Sequence, residues 1–269
     1  MIGITTIPFI GLSNVEKVKR ASKLGVDFLE WVCEYPHCYP DKISESARLR
    51  MKSYSKEYDI EYTVHATYVE INTAYLNPGL QDESTRQIRE CIKFADEIGA
   101  SRVVTHPGAV SMVPRNIPKN AIERLGGGEF RKIFLKSSKE RIAELREYAE
   151  DLGVLLCVEN MHFDFDFCNS PEELLFFIDD GFVAFDIGHA NISGNPADFA
   201  KKIKGKIKYV HIHDNCGEED EHLPIGDGNI DFEEIIRVIG ENYYSYEPKE
   251  LKMTSIKETL QTLRSLLHE

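Results

Sequence analysis

Strand-length apolar runs recur along this chain with helix-length stretches between them, and run after run delivers a His, Asp or Glu at or just beyond its carboxyl end. His65 closes TVH in TVHATY, His106 follows VVT in VVTHPG, and Glu159 lies in LLCVEN. Asp186 and His189 share FDIGHA, His211 lies in VHIHDN, Asp220 and His222 follow in the next loop, and Glu247 ends YYSYE. Polar side chains repeated at one end of apolar strands require a fold that gathers strand ends in one place, and a closed ring of parallel strands does so.

Strands are predicted near 2–6, 28–34, 61–67, 102–108, 155–161, 183–188, 208–214 and 243–247, each short and rich in Val, Ile, Phe and Tyr. Helices are predicted near 14–24, 44–57, 82–98, 131–152, 171–179, 196–204, 231–240 and 254–267. Ser13 with Glu16 reads as a capping box, Ser170-Pro171 with Glu173 as another helix start, and Gly25, Gly99 and Gly153 as helix stops. Eight strand–helix pairs predict an α/β chain forming a single (β/α)8 TIM barrel, one domain over residues 1–269. The rival, an open doubly wound sheet, lacks its glycine-rich first turn, because the first strand runs into TTIPFIGLSN. The one long irregular stretch, 109–130, is expected to cover the site as a lid.

Hydrophobic residues make up 42% of the chain, enough for a large core, and no apolar run approaches the roughly 20 residues of a membrane span. The start MIGITTIPF enters a strand without a basic leader, and the six cysteines form no CxxC pair. Reduced thiols in a cytoplasmic protein are therefore expected. A net charge of −13 argues against a large nucleic-acid footprint, although cations concentrated in one pocket would leave a phosphate ester admissible.

Imidazole with carboxylate and no thiol suits zinc, manganese or iron better than calcium. Around these ligands, Tyr68, His162 and His213 are candidates for substrate contact. His213 shares the strand parity of His211 and so points the same way if the strand continues. His37 and Trp31 follow the second strand near the pocket rim, with Trp31 read as packing.

These motifs resemble the xylose-isomerase-like barrel superfamily, which includes endonuclease IV (AP endonuclease family 2) and many sugar isomerases and epimerases. VHATY and THPG are similar to the two His motifs of endonuclease IV, the Glu of VEN to its bridging glutamate, and FDIGHA to its Asp-x-x-His motif. VHIHDN, DEHLPIGDGNID and YEP are similar to the remaining motifs. The resemblance implies nine metal ligands: His65, His106, Glu159, Asp186, His189, His211, Asp220, His222 and Glu247. Of these, Glu159, Asp186, His211 and Glu247 match the single-metal set shared across the superfamily.

Departures accompany the match. Thr67 stands where endonuclease IV has Pro, and His213 where it has Asn. LEWVCEYPHCYP replaces its basic DNA-invading loops, while the Arg that ketose epimerases carry soon after the seventh strand's His is absent between His211 and His222.

Two reactions follow from the resemblance. The first expectation is an endonuclease IV-like phosphoesterase with up to three ions, zinc foremost and Mn or Mg as alternatives, acting on a phosphate ester such as abasic DNA. There Glu159 bridges two ions and orients the attacking hydroxide. The alternative is a single-metal isomerase, epimerase or dehydratase of a small sugar or sugar phosphate. In it Glu159 and Glu247 form the acid/base pair and His189 polarises a substrate oxygen.

Overall fold

The eight predicted runs form eight parallel strands that close in chain order, as a computed structural model of residues 1–36, 38–110, 127–249 and 252–268 describes them. They are β1 (Ile2–Thr5), β2 (Phe28–Val32), β3 (Glu61–His65), β4 (Arg102–Thr105), β5 (Leu155–Glu159), β6 (Phe182–Asp186), β7 (Ile207–Ile212) and β8 (Tyr244–Tyr246). Closure is made by β8 pairing with β1, Ile2 opposite Tyr244 and Ile4 opposite Tyr246. The helices are α1 (Asn14–Lys23), α2 (Glu45–Glu57), α3 (Pro78–Ile98), α4 (Gly127–Asp151), α5 (Pro171–Ile178), α6 (Ile187–Ser193), α7 (Pro196–Ile203), α8 (Phe232–Ile239) and α9 (Met253–His268). Residues 111–126, the body of the expected lid, and His37 lie outside the described residues.

Side-chain alternation along the strands separates two cores. Phe28, Val104, Cys157, Ala184 and Tyr209 pack together inside the ring. Leu29, Trp31, Tyr62, Val64, Val103, Leu156, Phe185 and Val210 belong to the larger cluster that includes Ile92, Phe134, Leu174 and Phe199 of the helices. Trp31 is therefore packing, edge-on to Tyr62 at 5.6 Å. Gly3 is required by this arrangement, since a Cβ there would sit 2.2 Å from the Phe28 ring that plugs the barrel.

Two local expectations change. Ser13 makes no side-chain cap hydrogen bond, and Glu16 instead pairs with Arg20 at 3.6 Å. Ser170 does cap α5, accepting from Glu173 N at 3.3 Å. All eight strands stop one to three residues earlier than predicted. At the end of β6 the chain enters α6, a helix that the sequence pattern does not separate from the strand. Among the described residues no helix is long and apolar enough to cross a membrane.

Candidate metal centre at the barrel mouth

Glu159, the last residue of β5, organises the mouth. Its Oε1 lies 2.9 Å from His211 Nδ1, and its Oε2 lies 3.3 Å from His65 Nε2 and 3.2 Å from His106 Nε2. Asp186 ends β6 and does two things at once. Its Oδ1 caps α6 by accepting from His189 N at 2.7 Å, and its Oδ2 faces His213 Nε2 at 3.3 Å and His211 Nδ1 at 3.9 Å. Glu247, one residue beyond β8, brings Oε1 to 3.5 Å from His211 Nε2. One ligand atom from each of Glu159, Asp186, His211 and Glu247 lies within 4.8 Å of the others, and all four residues are buried.

The position of His189 follows from α6. Asn160 binds the Asp186 backbone both ways, accepting from its N–H at 2.8 Å and donating to its carbonyl at 2.9 Å. The Asn160 carbonyl sits 2.9 Å from His189 Nδ1 and accepts its proton, which leaves His189 Nε2 free to act as a ligand.

The loop after β7 carries the rim. The Asp214 carboxylate accepts from the backbone N–H groups of Asn215, Gly226, Gly228 and Ile230 at 2.9–3.3 Å and folds the segment back over the barrel. Gly228 must be glycine here, because a Cβ would meet Asp214 Oδ1 at 2.2 Å. The loop delivers Asp220 and His222, joined through Oδ2 and Nε2 at 2.9 Å, and His222 Nδ1 donates to the Glu247 carbonyl at 2.9 Å. His222 has φ of 52°, an uncommon conformation for a residue with a side chain. His213 does continue the inward parity of β7: it is fully buried and stacks on His222 at 3.9 Å. Gly188 makes room for it, as a Cβ there would fall 2.0 Å from the His213 ring.

These groups surround a cavity of about 380 Å³. Nine of the sequence-predicted site residues line it, while Asp186, His211 and His213 lie beneath its surface. Tyr68 lines one side, its ring 4.9 Å from His106 and 5.1 Å from His65. His162 lines the other, 4.4 Å from the His189 ring. The described lining includes no Lys or Arg.

Three acids contribute that the sequence pattern does not single out. Glu30 is fully buried inside β2, with Oε1 3.1 Å from His211 Nε2 and Oε2 accepting from Ser245 Oγ at 2.5 Å. It thereby fixes the His211 ring from behind, and its signal is a single acid on the inward parity of FLEWV. Glu34 accepts from Thr67 Oγ1 and Val69 N at 2.8 Å, so Thr67 and the acidic segment after β2 hold the loop that carries Tyr68. The third is Asp214, which the sequence marks only as a neighbour of His213.

Charge is strongly polarised in this cluster. Burial opposes the imidazolium of His65, but its bond to Glu159 and the charge of Glu30 raise it to about 9. His189 rises to about 10 and His222 to about 9, against burial, through Asp186 and Asp220 respectively. Burial would raise Glu159, yet His211, His106 and His65 hold it well below the carboxylate range. Burial pushes Glu247 up, and burial with the neighbouring His189 charge lowers His162 to about 4. The donor set fits a divalent cation: buried carboxylates converge on imidazoles, and His162 Nδ1 and Nε2, His213 Nδ1 and Asp220 Oδ1 are buried without hydrogen-bond partners.

Residues 18–266 match the family model for the xylose isomerase-like TIM barrel, and the chain belongs to that family. The uncharacterized protein MJ1311 of Methanocaldococcus jannaschii is 31% identical over 99% of this chain and 90% of its own length. A fructoselysine 3-epimerase of Shigella flexneri is 24% identical over 93% of this chain and 92% of its own, and a probable endonuclease 4 of Aquifex aeolicus 23% identical over 88% and 86%. The crystal structure of a D-tagatose 3-epimerase-like protein superposes with a TM-score of 0.84 at 29% identity, covering 99% of this chain and 97% of that one.

Proposed function

We propose that this protein is a divalent-metal-dependent epimerase or isomerase of a small ketose sugar or a close derivative. The observation that carries the reading is the buried quartet Glu159, Asp186, His211 and Glu247, placed at the floor of a cavity of monomeric-ligand size. At about 380 Å³ the cavity falls near the lower end of the roughly 300–1,000 Å³ of small-molecule sites. Similarity to the fructoselysine 3-epimerase and to the D-tagatose 3-epimerase-like structure supports the same class.

The endonuclease IV-like reading, foremost in the sequence, loses support on two counts. The chain carries a net charge of −13, and the described cavity wall offers no Lys or Arg for a phosphate backbone. The comparisons are also weighted towards sugar epimerases.

A divalent ion held by Glu159, Asp186, His211 and Glu247 would polarise a ketose carbonyl and acidify the neighbouring C–H. Glu159 and Glu247 approach the His211 ring from β5 and from the end of β8, a placement suited to proton transfer on opposite faces of a flat intermediate. One carboxylate takes the proton from the carbon beside the carbonyl, and the other, as the acid, returns a proton to the opposite face. The contrast between Glu159, held ionised by three imidazoles, and Glu247, pushed towards its acid form, matches that division. His189 Nε2, aimed into the cavity, would orient a substrate oxygen, and Tyr68 would close one side against water.

The test is incubation in D2O with a panel of ketopentoses, ketohexoses, their phosphates and abasic duplex DNA. Deuterium entering at the carbon beside the carbonyl, with inversion there, is the expected result. Strand cleavage of abasic DNA without exchange into any sugar would overturn the proposal.

A further inference from the structure

We propose that the amino-terminal face of the barrel carries a binding site for a small polyhydroxylated anion, a sugar phosphate or a sugar acid, held by Arg102 and Lys208. A cavity of about 540 Å³ opens on that face, larger than the one at the mouth. The two cavities share no lining residue, and Phe28, Val104, Cys157, Ala184 and Tyr209 fill the barrel between them. In barrels of this type the reaction belongs to the opposite face, so the site is one of binding and not of catalysis.

Two cations reach this cavity by different routes. Arg102 opens β4 on the inward parity of Val104, which places a guanidinium at the lower end of an apolar row. It lies over the Tyr243 ring, 3.5 Å from its centre, and donates from Nη1 to Ser101 Oγ at 2.8 Å. Its Nε is buried without a hydrogen-bond partner. Lys208 is brought in by a slip between β6 and β7. Ile207 faces Val183 and Tyr209 faces Ala184, so Lys208 falls between the two pairs. A bulge of this kind re-aims a side chain. Lys208 thereby joins the cavity wall, with Nζ 5.7 Å from the centre of the Phe182 ring.

Neither cation forms an ion pair among the described residues, although the chain has a net charge of −13. A half-buried guanidinium without a counter-ion is costly, and an oxyanion supplies one. Arg offers paired N–H groups to a phosphate or carboxylate, and Lys adds a mobile ammonium. The rest of the wall fixes the other end of the ligand. Asp27, Glu241 and Asn242 line it, so a second anionic group would be repelled while hydroxyls would find acceptors. Asp27 Oδ2 already accepts from Ile2 N at 2.7 Å, and nearby Glu61 accepts from the Tyr243 hydroxyl at 3.0 Å.

The experiment titrates the full-length protein as purified with ribose 5-phosphate, gluconate and neutral ribose, followed by calorimetry. At least one of the two anions is expected to saturate a single site that ribose does not fill. Its Kd should rise by about tenfold or more in Lys208→Ala and in Arg102→Gln, and stay unchanged in Glu159→Gln at the mouth. Lys208 is exposed, so Lys208→Ala should unfold at the wild-type temperature and keeps the test decisive if Arg102→Gln fails to fold. Saturation by ribose 5-phosphate alone would assign the site to phosphate esters, and by gluconate alone to carboxylates. No saturable binding of either anion at millimolar concentration, equal affinity for ribose, or a Kd unchanged in Lys208→Ala would each overturn the proposal.

Discussion

The floor and the rim of the mouth carry the same kinds of side chain on different supports. Glu159 and Asp186 end strands and His211 lies within one, and the hydrogen-bonded ring holds them fully buried. His162, Asp220 and His222 sit on loops and are half-buried, and the loop that carries Asp220 and His222 is held by the Asp214 carboxylate. Strand-borne ligands are precise because a ladder on each side fixes their backbone, whereas loop-borne ligands are adjustable and face substrate. On the proposed reading, the difference assigns the chemistry to the floor and the binding of what lies over it to the rim.

The harshest challenge to that contrast is Glu159→Gln. It removes a carboxylate facing three imidazoles, and epimerisation should fall by about 10²–10⁴-fold or more. A variant retaining full turnover would break the assignment of the floor to the chemistry. Glu30→Gln comes next. Glu30 touches the back of His211 and Ser245 but lines no part of the cavity, and metal affinity should drop by about 10–100-fold while the fold, followed by circular dichroism, persists. An unchanged affinity would mean that the ladder alone positions His211.

Proton linkage sharpens the comparison further. His65 and His222 are raised to about 9 and His189 to about 10 in the metal-free protein. Their contribution to metal-free stability is complete below about 6.5 and is lost as pH rises through 9 to 10. Cations require the neutral rings, so affinity should instead rise with pH, about tenfold per unit for each proton displaced. Thermal unfolding from pH 6.5 to 10, with and without Zn2+, should therefore show a falling Tm when metal-free and a growing metal-induced increment. A flat increment would show that the ions do not displace these protons. The smallest effect on activity is expected at the rim. Asp214→Ala leaves four loop N–H groups without their acceptor, which should cost about 2 kcal/mol of stability and raise KM severalfold while kcat stays close to wild type.

Much of the floor is legible in the amino-acid order. His65, His106, Glu159, Asp186, His211 and Glu247 each sit at or near the end of an apolar run, and parallel closure puts such ends together. The parity argument for His213 holds for the same reason. Glu30 is not recognisable in this way, because an acid in mid-strand reads as an exposed edge until the strand is known to be enclosed on both sides. The helix Ile187–Ser193 is hidden because FDIGHANIS continues an apolar strand pattern, and only the Asp186 side chain, turned back onto His189 N, ends the strand there. His162 reads from sequence as a substrate contact, since its place two residues past Asn160 gives no hint that it meets Asp220 from a loop far along the chain.

The order of elements, the closed parallel architecture and the residue types at the strand ends were determined by the sequence, because hydrophobic period and turn chemistry are local properties of the chain. Which nitrogen faces which oxygen, how His162 comes beside His189, and how Glu30 comes to lie behind His211 were decided only by the tertiary structure. Those relations depend on loop paths and ring rotations set by contacts between residues far apart in the chain, and no local pattern encodes them.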